Sequence, residues 1–127
     1  MSILVDTSIW IEYFRNGNNF EKLDEFIDEN IVVTNDLILS ELIPFLRLGN
    51  QRKLIALLQQ VRKLPLVVNW EQLSDYQYQC LKIGINGIGI PDLIIGQNAL
   101  QNHCAVYSLD NHFKFLAKIL NIGVLGI

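Results

Sequence analysis

Short β-branched runs alternate along this chain with longer stretches of helical periodicity. Ile3–Val5, Ile31–Val33, Leu66–Val68 and Ala105–Tyr107 are continuous apolar runs, the pattern of strands buried on both faces, and Val124–Leu125 is a weaker fifth. Between them, Phe20, Leu23, Phe26 and Ile27 share one face of a helix predicted over 20–29. Leu54, Leu57, Leu58 and Val61 do so over 54–61, and Phe113, Leu116, Ala117 and Leu120 over 113–120. Asn69, Asp92 and Asp110 stand where helix N-caps are expected. Gly84, Gly87 and Gly89, ahead of Pro91, read as a helix end followed by a turn.

This alternation predicts an α/β fold: a mainly parallel central sheet of four or five strands between two helical layers, α/β/α. No linker or internal repeat divides the sequence, and 127 residues suit a single domain over 1–127. Right-handed crossovers put functional groups at the carboxyl ends of the strands, near the point where strand order reverses. Asp6 directly follows Ile3–Val5, and Asp110 lies just beyond Ala105–Ser108.

Half the residues are hydrophobic and 18% are charged, which excludes a disordered chain. The sequence starts Met-Ser-Ile-Leu-Val-Asp, so an acidic residue interrupts the apolar run almost at once. A signal peptide or a span of about 18 apolar residues needs more; a soluble, cytoplasmic protein with no membrane association is expected. Cys80 and Cys104 fall in no metal-finger or redox spacing and read as small buried apolar residues.

The net charge of −3 is unevenly spread. Arg47, Arg52, Lys53, Arg62 and Lys63 lie in a stretch without a single acidic residue, which reads either as a phosphate-contacting surface or as a solvated face. Five carboxylates crowd into Glu21–Glu29. With Asp6, Glu41, Asp92 and Asp110 set aside, ten basic residues face nine acidic ones. An acidic total is therefore compatible with a phosphate-bearing substrate if cations neutralise those four.

Taken singly, Asp6, Asp92 and Asp110 each double as helix caps. Glu41 is different. In the helix predicted over 36–48, Leu37, Ile38, Phe45 and Leu48 share one face, and Glu41 falls among them, in the stripe expected to face the core. An ionised carboxylate there needs a cationic partner or a metal. Pro44 removes one backbone hydrogen bond from this helix. Four carboxylates gathered together repel one another unless a hard divalent cation such as Mg²⁺ or Mn²⁺ relieves them, and all-oxygen ligation suits those ions. Such a metal activates a water for attack on a phosphodiester.

These residues carry a family resemblance. Ile3-Leu4-Val5-Asp6-Thr7-Ser8-Ile9-Trp10-Ile11-Glu12-Tyr13-Phe14-Arg15, Leu39-Ser40-Glu41-Leu42, Ile90-Pro91-Asp92-Leu93-Ile94-Ile95-Gly96 and Val106-Tyr107-Ser108-Leu109-Asp110-Asn111-His112-Phe113 resemble, in order, the four acidic motifs of the PIN-domain ribonucleases. Within that family the chain is similar to the VapC-type toxins of toxin–antitoxin pairs, and the match runs from the first strand to the last helix. The resemblance implies Mg²⁺-dependent cleavage of RNA, with Mn²⁺ able to substitute, inhibition by a cognate antitoxin, and a homodimer. It assigns Asp6, Glu41, Asp92 and Asp110 to the metal site. Thr7, Ser8 and Ser108 become supporting hydroxyls, with Ser108 where the family more often has Thr, and Arg15 becomes a contact to substrate phosphate, although a solvated helix-end arginine fits it nearly as well.

His103 and His112 are expected in ordinary surface or packing roles, and Trp10, Tyr13 and Phe14 in the core. Rival readings are a catalytically silent PIN-like module binding RNA or protein, a non-toxin PIN nuclease, and an unrelated Mg²⁺-dependent phosphatase. The last would need a second aspartate after the first strand, which Asp6-Thr7-Ser8 lacks.

Overall fold

The run Ile3–Val5 forms strand β1, with all three side chains buried. Parallel neighbours flank it: β2 (Val32–Thr34), where Ile3 stands opposite Val32, and β4 (Ala105–Tyr107), where Val5 stands opposite Tyr107. Two short edge strands, β3 (Arg62–Lys63) and β5 (Val124–Leu125), complete a five-stranded parallel sheet of order β3-β2-β1-β4-β5. The computed structural model describes residues 1–15 and 20–126.

Strand order steps from β1 through β2 to β3, then returns across β1 to β4 and β5. Right-handed crossovers therefore lay α1 (Thr7–Arg15), α2 (Glu21–Asp28), α3 (Asp36–Leu48) and α4 (Arg52–Gln59) over one face. They lay α5 (Trp70–Lys82), α6 (Ile90–Gln101) and α7 (His112–Leu120) over the other. Helix α3 packs on α1 and α4, and α6 packs on α5 and α7. This is the three-layer arrangement the alternation predicts, and its reversal of direction falls between β1 and β4. Trp10 is buried and stacks on Phe14, with ring centroids 5.7 Å apart, in the core as expected. Cys80 and Cys104 are buried, unpaired thiols.

Three sequence expectations are corrected. Leu66–Val68 is not a strand. Pairing with β2 runs through Arg62, Lys63 and the backbone N–H of Leu64, which donates to Thr34 O at 2.8 Å. Pro65 follows and has no N–H to continue the ladder. The carbonyls of Pro65 and Val67 instead accept from the side chains of Asn98 and Gln101.

Helix α3 has the expected bounds but turns a different face inward. Ile38, Leu42 and Leu46 are buried, whereas Phe45 and Leu48 are exposed. Glu41 is thus exposed beside the buried stripe rather than within it. The two candidate stripes differ by one residue, about 100° of rotation. The inward one is the i, i+4, i+8 row that meets α1 and α4.

Asp92 does not cap α6. Gly89 holds that position, and Asp92 lies in the first turn. Asn69 caps α5 as expected, its Oδ1 accepting from Gln72 N. Asn35 caps α3 in the same way, accepting from Ile38 N at 2.9 Å. Gly84 and Gly87 occupy left-handed backbone, φ +82° and +86°, which lets the chain turn between α5 and α6 without strain.

Candidate metal centre

Asp6 sits at the carboxyl end of β1, where its backbone N–H donates to Tyr107 O of β4 at 2.9 Å. Its side chain is almost wholly buried, at 7% exposure. The carboxylate does not cap α1. Asp6 Oδ2 accepts from Ser8 Oγ and from Ser108 Oγ, each at 2.8 Å. The two hydroxyl oxygens stand 3.3 Å apart. Each also accepts a backbone N–H beyond β4: Leu109 N reaches Ser8 Oγ at 3.1 Å, and Asp110 N reaches Ser108 Oγ at 3.0 Å. The two serines thus fasten the Asp6 carboxylate to the turn that carries Asp110.

That turn is closed by Asp110 itself, whose Oδ1 accepts from His112 N at 2.9 Å. Asn111 occupies the formal cap position of α7 without a side-chain bond, so Asp110 caps the turn one residue early. Asp92, half-buried in the first turn of α6, approaches from the other side. Burial pushes its carboxyl up, the charges of Asp110 and Asp6 add to the rise, and His112 opposes it. From across the crevice, α3 supplies Glu41, whose Oε1 accepts from Thr7 Oγ1 at 3.3 Å. Glu41 is exposed at the rim, yet partial desolvation of its carboxyl raises it too; the Thr7 hydroxyl works against the rise, and the charges of Asp6 and Asp92 add to it.

Asp6 thus acts on both Glu41 and Asp92, Asp92 acts on Glu41, and Asp110 acts on Asp92. Among the described residues no lysine or arginine forms an ion pair with any of them. An uncompensated carboxylate cluster of this kind can bind a hard divalent cation through its oxygens. Asp92, Asp110 and His112 each offer a donor atom, and the three lie within 4.8 Å of one another.

A family model described as the PIN domain matches residues 3–119. The chain belongs to the PIN-domain family. No curated protein matches it in sequence. Its fold is similar to VapBC2 of Rickettsia felis bound to a promoter DNA fragment, with TM-score 0.77 and 17% identity over 100% of this chain and 99% of that one. It is also similar to DNA-bound VapBC of Salmonella typhimurium, with TM-score 0.77 and 15% identity over 99% and 98% of the two chains. VapBC-1 of nontypeable Haemophilus influenzae gives 0.73 and 20% over 99% and 98%. At these identities the likeness is one of fold.

In this PIN domain Arg15 stands apart from the carboxylates. Eight residues beyond Thr7 on α1, it is about 12 Å along the helix axis. Its guanidinium lies 5.7 Å from the Phe45 ring centroid and 3.7 Å from Glu12. In the basic stretch, Lys63 pairs with Asp36 at 3.1 Å, while Arg47, Arg52, Lys53 and Arg62 are exposed. His103 is exposed in left-handed backbone just past α6. No helix among the described residues is long and apolar enough to cross a membrane.

Sequence reasoning missed two features of the centre. His112, expected in an ordinary role, faces two of the carboxylates; the cue was its spacing of two residues from an aspartate that opens a helix. The other feature is a set of buried amides behind the site. Asn35 Nδ2 donates to Asn98 Oδ1 at 2.9 Å, and Asn98 Nδ2 to Pro65 O at 2.9 Å. Gln97 Nε2 donates to Gln72 Oε1 at 2.7 Å and to Asn69 O at 3.1 Å. Their cue was a pair of amides, Gln97 and Asn98, inside the otherwise apolar middle of the helix, Leu93–Leu100.

Proposed function

We propose that this PIN domain is a divalent-metal-dependent endoribonuclease, the toxin of a VapBC-type toxin–antitoxin pair. The observation that carries the reading is the mutual influence of the acidic residues past the carboxyl ends of β1 and β4: Asp110 and Asp6 raise the Asp92 carboxyl, and Asp6 and Asp92 raise that of Glu41. Membership of the PIN family supports nuclease chemistry. Neighbours of the same fold described as VapBC complexes support a toxin role and an antitoxin partner for this chain.

The donor set fits a divalent cation: four carboxylates with no lysine or arginine ion-paired to them among the described residues, two of them pushed toward their protonated forms by burial and by neighbouring carboxylates. When bound, Mg²⁺ or Mn²⁺ supplies charge neutralisation and an activated water. Asp6, Asp92, Asp110 and Glu41 hold the ion. Ser8 and Ser108 keep the Asp6 carboxylate aimed into the crevice, and Thr7 does so for Glu41. Arg15, with an exposed guanidinium, contacts a phosphate further along the RNA strand, and Arg52 and Lys53 extend the basic surface.

A homodimer accompanies this reading. Trp70, Tyr78 and Leu81 lie on one face of α5 and are each more than half exposed, and such a face suits a second copy. Sedimentation at micromolar concentration tests it.

The decisive experiment incubates the protein with end-labelled single-stranded RNA in Mg²⁺ or Mn²⁺, with EDTA and Asp6→Asn as controls. Internal cleavage is expected with either metal, lost in EDTA and reduced by about two orders of magnitude or more in Asp6→Asn. Cleavage that persists in EDTA, or in a folded Asp6→Asn protein, overturns the reading.

A further inference from the structure

Four carboxylates leave His112 unexplained. Its Nδ1 lies 3.3 Å from Asp110 Oδ1 and 3.5 Å from Asp92 Oδ2. Both distances exceed the roughly 2.7–2.9 Å of a charge-assisted hydrogen bond. Nδ1 is nevertheless shielded from solvent and, among the described residues, has no hydrogen-bond partner. A buried polar atom is normally satisfied.

The two edges of the ring face different neighbours. On the Nδ1 side the backbone N–H of His112 is bonded to Asp110 Oδ1 at 2.9 Å. On the other side the loop before α6 comes close at Gly87, where an added Cβ would stand 3.7 Å from Nε2 and 4.0 Å from Cε1. Nδ1 faces Asp92 and Asp110.

Two donors about 2.1 Å from one ion stand about 3.0–3.4 Å apart, according to the angle between them. The 3.3 Å separation falls within that range and the 3.5 Å one just beyond it, and both are nearer to it than to the length of a direct charge-assisted bond. We propose that His112 Nδ1 is a direct ligand, with Asp92 and Asp110, of the divalent cation at this centre, and that this nitrogen biases the site toward Mn²⁺ over Mg²⁺. Mg²⁺ holds to oxygen donors in tight octahedral geometry, whereas Mn²⁺, softer and larger as the first member of the transition-metal series, accepts an imidazole nitrogen more readily. Ligation through Nδ1 leaves the ring proton on Nε2, at the Gly87 edge. The proposal rests on the nuclease reading only in taking the carboxylates as a metal centre.

The test uses the untagged protein and Mn²⁺ alone, read by pulsed electron paramagnetic resonance for ¹⁴N coupling and by calorimetry for affinity. Bound Mn²⁺ is expected to show histidine ¹⁴N coupling in the native protein and in His103→Gln, and none in His112→Gln. Mn²⁺ affinity is expected to fall on the order of tenfold or more in His112→Gln, with Mg²⁺ affinity changing far less. Mn²⁺ that binds the native protein without ¹⁴N coupling overturns the histidine assignment and leaves the carboxylate centre standing. Absence of Mn²⁺ binding to the native protein overturns both.

Discussion

Asn35 and Asn98, 63 residues apart in sequence, share a buried hydrogen bond of 2.9 Å between their side-chain amides. Asn35 caps the helix that carries Glu41, and Asn98 lies on the helix that carries Asp92. The bond ties the two helices that close the crevice from opposite faces of the sheet. Asn98 also donates to Pro65 O, just past the point where the edge strand stops pairing.

Asn98→Ala leaves the Asn35 amide and the Pro65 carbonyl without these partners. The expected loss of stability is about 1–3 kcal/mol, measured by urea unfolding. RNA cleavage should fall as well, because the Glu41 and Asp92 helices lose a shared restraint. A loss below about 0.5 kcal/mol, within the range of ordinary surface substitutions, would falsify the restraint.

Ser108 supplies one of the two hydroxyls on Asp6 Oδ2 and also accepts from Asp110 N. Ser108→Ala is expected to lower Mn²⁺ affinity or cleavage by about 10–100-fold, while Ser108→Thr, which keeps the hydroxyl, retains most of both. Equal behaviour of the two variants would show that the hydroxyl is not what matters at that position.

The raised carboxyls of Glu41 and Asp92 make a signed pH prediction. A carboxyl whose pKa is higher folded than unfolded holds its proton more tightly in the folded protein. Its stabilising contribution is complete below the ordinary values of 4.5 for Glu41 and 3.8 for Asp92 and is lost as pH rises through the raised values. In EDTA, the double variant Glu41→Gln, Asp92→Asn should therefore gain on the native protein as pH rises from about 4 toward neutrality. Added Mn²⁺ should raise the native Tm most at the upper end of that range. A Tm difference between variant and native protein that stays flat with pH would contradict the raised pKa values.

α6 and α7 come close together at Gly96, where an added Cβ would meet Leu120 Cδ2 at 3.0 Å and Leu116 Cδ1 at 3.9 Å. Gly96→Ala trades crowding against a helix-propensity gain of about 1 kcal/mol and should come out near neutral. Gly96→Val adds two further methyl groups to the same contact and is expected to cost about 2–3 kcal/mol by chemical denaturation. Cleavage should fall with it, because α6 and α7 carry Asp92, Asp110 and His112. A valine variant as stable as the alanine one would mean that the two helices are not in close contact there.

The order of strands and helices, and the strand ends at Asp6 and beyond Tyr107, were legible from the sequence alone. Apolar periodicity reports local backbone geometry directly, and a parallel sheet confines functional groups to the carboxyl ends of its strands. The tertiary structure decided matters that depend on a partner distant in sequence. Two stripes one residue apart on α3 were both apolar enough to face inward; packing against α1 and α4 selected the Ile38, Leu42, Leu46 row and moved Glu41 to the rim. Leu66–Val68 has the composition of a strand, yet pairing ends at Pro65, which has no N–H to offer. His112 turns to Asp92 only because α6 and α7 pack together, and the Asn35–Asn98 bond spans both helical layers. Periodicity carries no information about such contacts, because they depend on how separate elements are rotated against one another.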